Sequence, residues 1–188
     1  MAKFFDALTE KHRRFIERQP MFFVATAAAE GRINLSPKGM DTFRVLGPNQ
    51  VAYLDLTGSG NETAAHLLAC NRITVMFCSF GDNPLILRLY GRGRSVKPDS
   101  DDFSALAAGF PKLAGTRQIF VIDVDGVQTS CGKAVPRIGE MAERTDLVDA
   151  WGRMTPEEIA DYRRKRNSVS IDGLHTGIDS NDETLDRP

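Results

Sequence analysis

Five runs of branched, leucine or aromatic side chains, at residues 21–28, 51–56, 73–80, 85–96 and 118–125, are separated by Gly, Asn and Pro turns. Side chains of this kind suit a pleated, half-buried surface, and the turn residues between them end each run. The first run stops at Glu30-Gly31, a hairpin turn from which a sixth strand returns over residues 32–38. Most connections are too short for helical crossovers, so the strands are expected to pair antiparallel. A six-stranded antiparallel sheet with one buried face commonly closes into a barrel. The chain therefore reads as mainly β with flanking helices.

Helices are expected at five places, one of them the amphipathic run at residues 64–70. Residues 3–18 place Phe5, Leu8, Phe15 and Ile16 near one helical face and end at Pro20. A short helix is expected at residues 99–108, and a helical pair at 140–152 and 156–166 follows the last strand. At 188 residues and 41% hydrophobic content the chain can bury a core without a disulfide or a structural metal. Residues 1–179 read as a single domain, and the polar, acidic residues 180–188 as a disordered tail. With 24 basic and 25 acidic residues, net charge −1, no electrostatic basis for binding nucleic acid or an anionic membrane is visible. Cys70, Cys78 and Cys131 lack the paired spacing of a zinc site, the start has no signal-peptide pattern, and no apolar run approaches a membrane span. A reducing cytoplasm is the expected compartment.

Three segments carry candidate chemistry. Gly58-Ser59-Gly60-Asn61-Glu62-Thr63 joins a strand to an amphipathic run, so Asn61 is placed to cap a helix whose first amides form an anion site. An ordinary capped helix after a surface turn is the plain alternative. In Asn34-Leu35-Ser36-Pro37-Lys38-Gly39, the period of two sends Asn34, Ser36 and Lys38 to one face, and Pro37 marks a strand end or edge. A solvent-facing edge would look the same. Arg88, Arg92 and Arg94 share a face on a strand whose Gly91 and Gly93 indicate a bulge or a close backbone approach, and they can serve a phosphate or simply meet solvent. Cys131 has no histidine placed near it by the sequence and reads as an inert thiol.

Taken in order, Phe22-Phe23-Val24-Ala25-Thr26-Ala27, the segment 34–39, Tyr53-Leu54-Asp55-Leu56, the segment 58–63, Asn71-Arg72-Ile73-Thr74-Val75-Met76-Phe77 and Leu89-Tyr90-Gly91-Arg92-Gly93 resemble the pyridoxamine 5'-phosphate oxidase-like flavin-binding family. Val127 to Gly132, Val135-Pro136 and Ser170-Ile171-Asp172-Gly173-Leu174 look like an uncharacterised branch of it. The resemblance implies a split barrel, a homodimer, and FMN held noncovalently in a cleft between subunits. By the same resemblance, Asn34, Leu35, Ser36, Pro37 and Lys38 run beside the flavin, and Asn61, Glu62 and Thr63 face its phosphate. Leu54, Asp55 and Leu56 would line the pocket, with Asp55 reaching the cofactor or capping a turn. Arg88 would supplement the charge, and Ser130 would approach the ring or the dimer interface.

Two departures stand against vitamin B6 oxidation. Oxidases of the family resemble one another in an Arg-Lys pair where this chain has Glu62-Thr63, and their C-terminal tryptophan, arginine and histidine motif is missing around Trp151. The resemblance thus implies an FMN-dependent oxidoreductase of unknown substrate. The alternative is a non-catalytic dimer holding a flavin, a deazaflavin or a haem for sensing, storage or protection, and a third reading is a purely structural dimer.

Overall fold

A computed structural model describes residues 2–178; the expected tail, 180–188, lies outside the described residues. Eight strands form one antiparallel sheet: β1 (Lys3–Phe5), β2 (Phe22–Thr26), β3 (Asn34–Lys38), β4 (Phe43–Gly47), β5 (Gln50–Leu56), β6 (Arg72–Cys78), β7 (Ile86–Val96) and β8 (Thr116–Ser130). Their order is β3-β2-β6-β7-β8-β5-β4, with β1 added against β8. Five helices flank the sheet: α1 (Glu10–Ile16), α2 (Glu62–Ala69), α3 (Phe103–Ala107), α4 (Asp146–Gly152) and α5 (Pro156–Arg166).

The sheet curls without closing, because β3 and β4 remain unpaired edges although they follow each other in the chain. Pro37, in β3, has no N–H to give a further strand. The connection at residues 39–42 turns sharply through Met40 and Asp41, at φ 63° and 53°. Such angles are unusual for side-chain-bearing residues. Here the turn is tied by the Thr42 hydroxyl donating to the Gly39 carbonyl at 2.6 Å and by Arg44 gripping both Asp41 carboxylate oxygens at 2.7 and 2.9 Å.

Two apolar layers cover the sheet. Inside the curl, Phe22, Val24, Tyr53, Phe77, Leu87, Leu89, Phe120 and Ile122 make the main core, with the Phe22 and Phe43 rings 5.0 Å apart. On the outer side, Ala52, Leu54, Ile119 and Val121 meet Phe103, Leu106 and Phe110 around α3. Covered on both faces, β5 and β8 bury consecutive residues, which is why their runs look continuously apolar.

Two strands depart from expectation. The opening segment is not one helix: residues 3–5 pair with Thr129, Gln128 and Val127 as β1, and α1 begins only after Thr9, whose hydroxyl accepts from the His12 amide in a capping box. Phe5 packs on the His12 ring at 4.7 Å, so its apolar side chain serves the core from a strand. Also unexpected is β4, a short edge of mixed polarity. The last strand is longer than its expected run of 118–125, beginning at Thr116 and passing through Gly126 to Ser130, with a register shift opposite Tyr90/Gly91. The expected close approach at Gly91 is real: a Cβ there would lie 2.1 Å from the Asp123 carbonyl oxygen. No helix among the described residues is long and apolar enough to cross a membrane.

Candidate functional site

Between β3 and the start of α2 lies a cleft of about 330 Å³. One wall carries Asn34, Ser36, Pro37 and Lys38; the other is the loop and helix start from Gly58 to Thr63. Asp55, Leu56 and Arg117 form its floor at the ends of β5 and β8. The alternation along β3 turns Asn34, Ser36 and Lys38 inward and leaves Leu35 outside at 64% exposure.

A buried polar network holds the floor. Arg117 places Nε and Nη2 2.9 and 2.8 Å from Asp55 Oδ2, and the Gln118 side chain donates to the same oxygen at 2.9 Å. Lys38 Nζ sits 3.4 Å from the other oxygen. Burial alone would push the Asp55 carboxyl up. The charges of Arg117 and Lys38 and the Gln118 hydrogen bond outweigh it and hold the carboxyl below its ordinary value. Asp55 is therefore an anion locked in place, neither a turn cap nor a free group at the rim. Arg117 also donates to the Gly60 carbonyl at 3.0 Å, which fixes the glycine loop from below.

The helix start is arranged differently from a simple cap. Asn61 occupies the N-cap position, but its side chain makes no capping bond; its Oδ1 accepts from Gln118 at 2.8 Å. Gln118 is oriented in turn by the Ser95 hydroxyl, which donates to its Oε1 at 2.8 Å. Asn61 Nδ2 is left buried and without a partner among the described residues. Ala64 and Ala65 N–H donate to the Asn61 carbonyl at 3.1 and 3.3 Å, so in the first turn of α2 it is the Glu62 and Thr63 amides that have no acceptor within the helix. Uncommitted donors therefore gather at this end of the cleft, as an anion requires. The Thr63 hydroxyl accepts from Asn34 Nδ2 at 3.1 Å, linking the two walls, and Ser36 donates to Asn34 Oδ1 at 3.0 Å. Glu62 turns its carboxylate to the backbone N–H of Ile171, at 3.0 and 3.2 Å.

The C-terminal helices brace this region. Trp151 Nε1 donates to the Thr57 carbonyl at 2.9 Å, Arg163 Nε donates to the Thr57 hydroxyl at 2.9 Å, and Asn167 Nδ2 donates to the Gly58 carbonyl at 3.0 Å. Asn167 Oδ1 accepts from Arg117 at 2.8 Å, joining the end of α5 to the floor.

Nine of the residues named from sequence meet here: Asn34, Ser36, Pro37, Lys38, Asp55, Leu56, Asn61, Glu62 and Thr63. Leu54 instead belongs to the outer core around α3, and Arg88 donates to the Ser130 hydroxyl at 3.2 Å on β7 and β8, among none of the cleft's lining residues. Arg117, Gln118 and Asn167 were not singled out by the sequence. The partners of their side chains stand 23 to 109 residues away along the chain, so no local pattern marks them. Among the described residues no group of His, Cys, Asp and Glu is arranged to hold a metal.

Residues 8–131 match the family described as Pyridoxamine 5'-phosphate oxidase. The chain belongs to that family. Among curated proteins it is 36% identical over 200 residues to the Pyridoxamine 5'-phosphate oxidase family protein ustO of Aspergillus flavus, covering 93% of this chain and 77% of that one. Among solved structures, HupZ of Group A Streptococcus superposes with a TM-score of 0.52 at 20% identity, over 64% of this chain and 91% of that chain. A Lactobacillus delbrueckii protein superposes with a TM-score of 0.53 at 18% identity, over 65% and 94%. At these identities the two structures speak for a shared fold alone. Membership in the oxidase family agrees with the open, mainly β sheet and its flanking helices.

Proposed function

We propose that this family member is an FMN-binding oxidoreductase that works as a homodimer, with the phosphate of the cofactor seated at the start of α2. The observation that carries this reading is the set of uncommitted donors there: the buried Asn61 Nδ2, without a partner among the described residues, and the Glu62 and Thr63 amides that open α2, beside Lys38. Lys38 and Arg117 face one floor carboxylate, Asp55, so the floor retains one positive charge for an anion. The missing Arg-Lys pair is thus offset by cations on β3 and β8.

Bound FMN would supply electron transfer, accepting or donating electrons with a substrate that the cleft alone does not identify. The chain's own part is to hold and orient the cofactor. Asn34 and Ser36 present polar groups along one wall, and the Asp55–Arg117–Gln118 network keeps the floor rigid beneath it. The exposed sheet face carrying Leu35, Tyr90, Arg88 and Ser130 is offered as the surface against which a second copy would complete the cleft. Cysteines 70, 78 and 131 are free, in keeping with a cytoplasmic setting.

One observation favours binding without turnover as a second reading. Among the described residues each ionisable side chain of the cleft, Lys38, Asp55, Glu62 and Arg117, is already held by other residues, which leaves none of the four free to exchange a proton. The test is the visible spectrum of protein mixed with FMN and freed of excess by gel filtration, then reduced and returned to air. Retained flavin that bleaches and reoxidises supports the redox reading. Flavin retained but inert to every electron donor would favour the second, and a colourless protein would remove both.

A further inference from the structure

The Ser170-Ile171-Asp172-Gly173-Leu174 segment has no role in the reading above, yet two of its adjacent residues grip opposite walls of the cleft. Ile171 N–H donates to Glu62, on the α2 wall. Asp172 accepts from the Arg32 backbone N–H at 2.7 Å and pairs with the Arg32 guanidinium, immediately before the β3 wall. The segment itself is a closed turn: Ser170 N–H donates to the Leu174 carbonyl at 2.7 Å, Leu174 N–H to the Ser170 hydroxyl at 3.0 Å, and Gly173 adopts φ 82°. Its base is anchored by the buried Asn167, and by the Thr176 hydroxyl, which donates to the Asn167 carbonyl at 2.5 Å.

The contact on the β3 side is specific. Gly31 adopts φ 90°, and a Cβ there would lie 2.6 Å from Asp172 Oδ2, so the β2–β3 turn admits this carboxylate only because it carries glycine. The Arg32 backbone N–H bond, reinforced by its guanidinium, holds the Asp172 carboxyl below its ordinary value. On the other side, the direction of Glu62 matters electrically. Lys38 and Arg117 against Asp55 leave one positive charge, which a Glu62 carboxylate swung toward the helix start would cancel.

We propose that Ile171 and Asp172 form a brace that fixes the spacing of the cleft walls and keeps Glu62 turned from the anion position. Asp172 is then a positioning residue that sets preference for a phosphorylated over a phosphate-free flavin. This rests on the flavin reading of the cleft. The brace acts through geometry, with no contact between Asp172 and the ligand required. Gly31, Arg32, Glu62 and the five-residue turn form one unit, although they come from three distant parts of the chain.

The test uses the full chain as wild type, Asp172→Ala, Glu62→Gln and the double variant, with amide hydrogen exchange of ligand-free protein and titrations of FMN and riboflavin. In Asp172→Ala, amides at residues 58–63 and 171 are expected to exchange faster. FMN affinity is expected to fall about tenfold and riboflavin affinity to change by less than about twofold, the weight of one charge at a helix start. In the Glu62→Gln background the Asp172→Ala loss should largely vanish. Unchanged exchange at residues 58–63, equal losses for both flavins, or an undiminished FMN loss without Glu62 would each overturn the proposal. Wild-type protein that binds neither flavin would refute the functional reading and the phosphate preference together, while the exchange data alone would still uphold or refute the brace.

Discussion

At their middles β5 and β8 bury Val51, Tyr53, Phe120 and Ile122 on one face and Ala52, Leu54, Ile119 and Val121 on the other, whereas the next residues along bury Asp55, Arg117 and Gln118. One pair of strands thus carries two interiors. In the apolar part, stability grows with area removed from water and small volume changes are absorbed by neighbours. In the polar part each group depends on a named partner, and removing one strands another in a place water does not reach. The difference teaches where this molecule is robust and where it is brittle: the apolar layers of the sheet tolerate editing, and the cleft floor does not.

The largest effect is expected where that dependence is strongest. Arg117→Met should cost about 3–5 kcal/mol in urea unfolding at neutral pH, because Asp55 would remain charged and buried without its main counter-ion. Adding Asp55→Asn should recover part of the loss; a single-variant cost near zero would mean that the floor is wetter and looser than described. Acid gives an independent view of the same pair. Since the folded-state Asp55 carboxyl lies below its unfolded value, its stabilisation is complete above the ordinary aspartate range and is lost as pH falls below about 4. In Arg117→Met burial dominates, the carboxyl moves above its ordinary value, and mild acid should then stabilise relative to pH 7. Urea midpoints from pH 7 to 3 for both proteins check the reversal of sign.

A middle-sized effect concerns binding. Lys38→Met should weaken FMN about tenfold and flatten the salt dependence of binding, as loss of one charge-assisted contact predicts. Unaltered affinity in a fluorescence titration would leave the phosphate to the helix amides alone. The smallest effect belongs to the apolar side. Ile122→Val should cost about 1 kcal/mol, equally at pH 7 and pH 4, because deleting one methylene changes no charge. A pH-dependent cost there would mean that the two interiors are coupled.

The same contrast explains what could be read in advance. The long strands were legible because β-branched and aromatic runs advertise burial locally, and Asn34, Ser36 and Lys38 were legible because strand periodicity puts them on one side. Short β4 was not, since Arg44 in it lies over the Phe110 ring at 5.1 Å and breaks the apolar pattern. Lys3–Phe5 was hidden because Phe5 satisfies a helical spacing while packing from a strand. Arg117 stood just ahead of the apolar run beginning at Gln118, with nothing nearby to show that its partner is Asp55. Glu62 was legible as a departure from the family, but its partner, the Ile171 amide, is a backbone group that no side-chain pattern announces.

The central claim is that the start of α2 is a phosphate seat. Parallel titrations of the wild-type protein with FMN and riboflavin, which share the ring and differ in the phosphate, test it most directly. The account predicts about one FMN per chain and riboflavin weaker by at least about tenfold, the weight of a phosphate on helix amides and Lys38. Equal affinities for the two would contradict it, placing the recognition on the ring and leaving the donors at Asn61 and α2 without the role assigned to them.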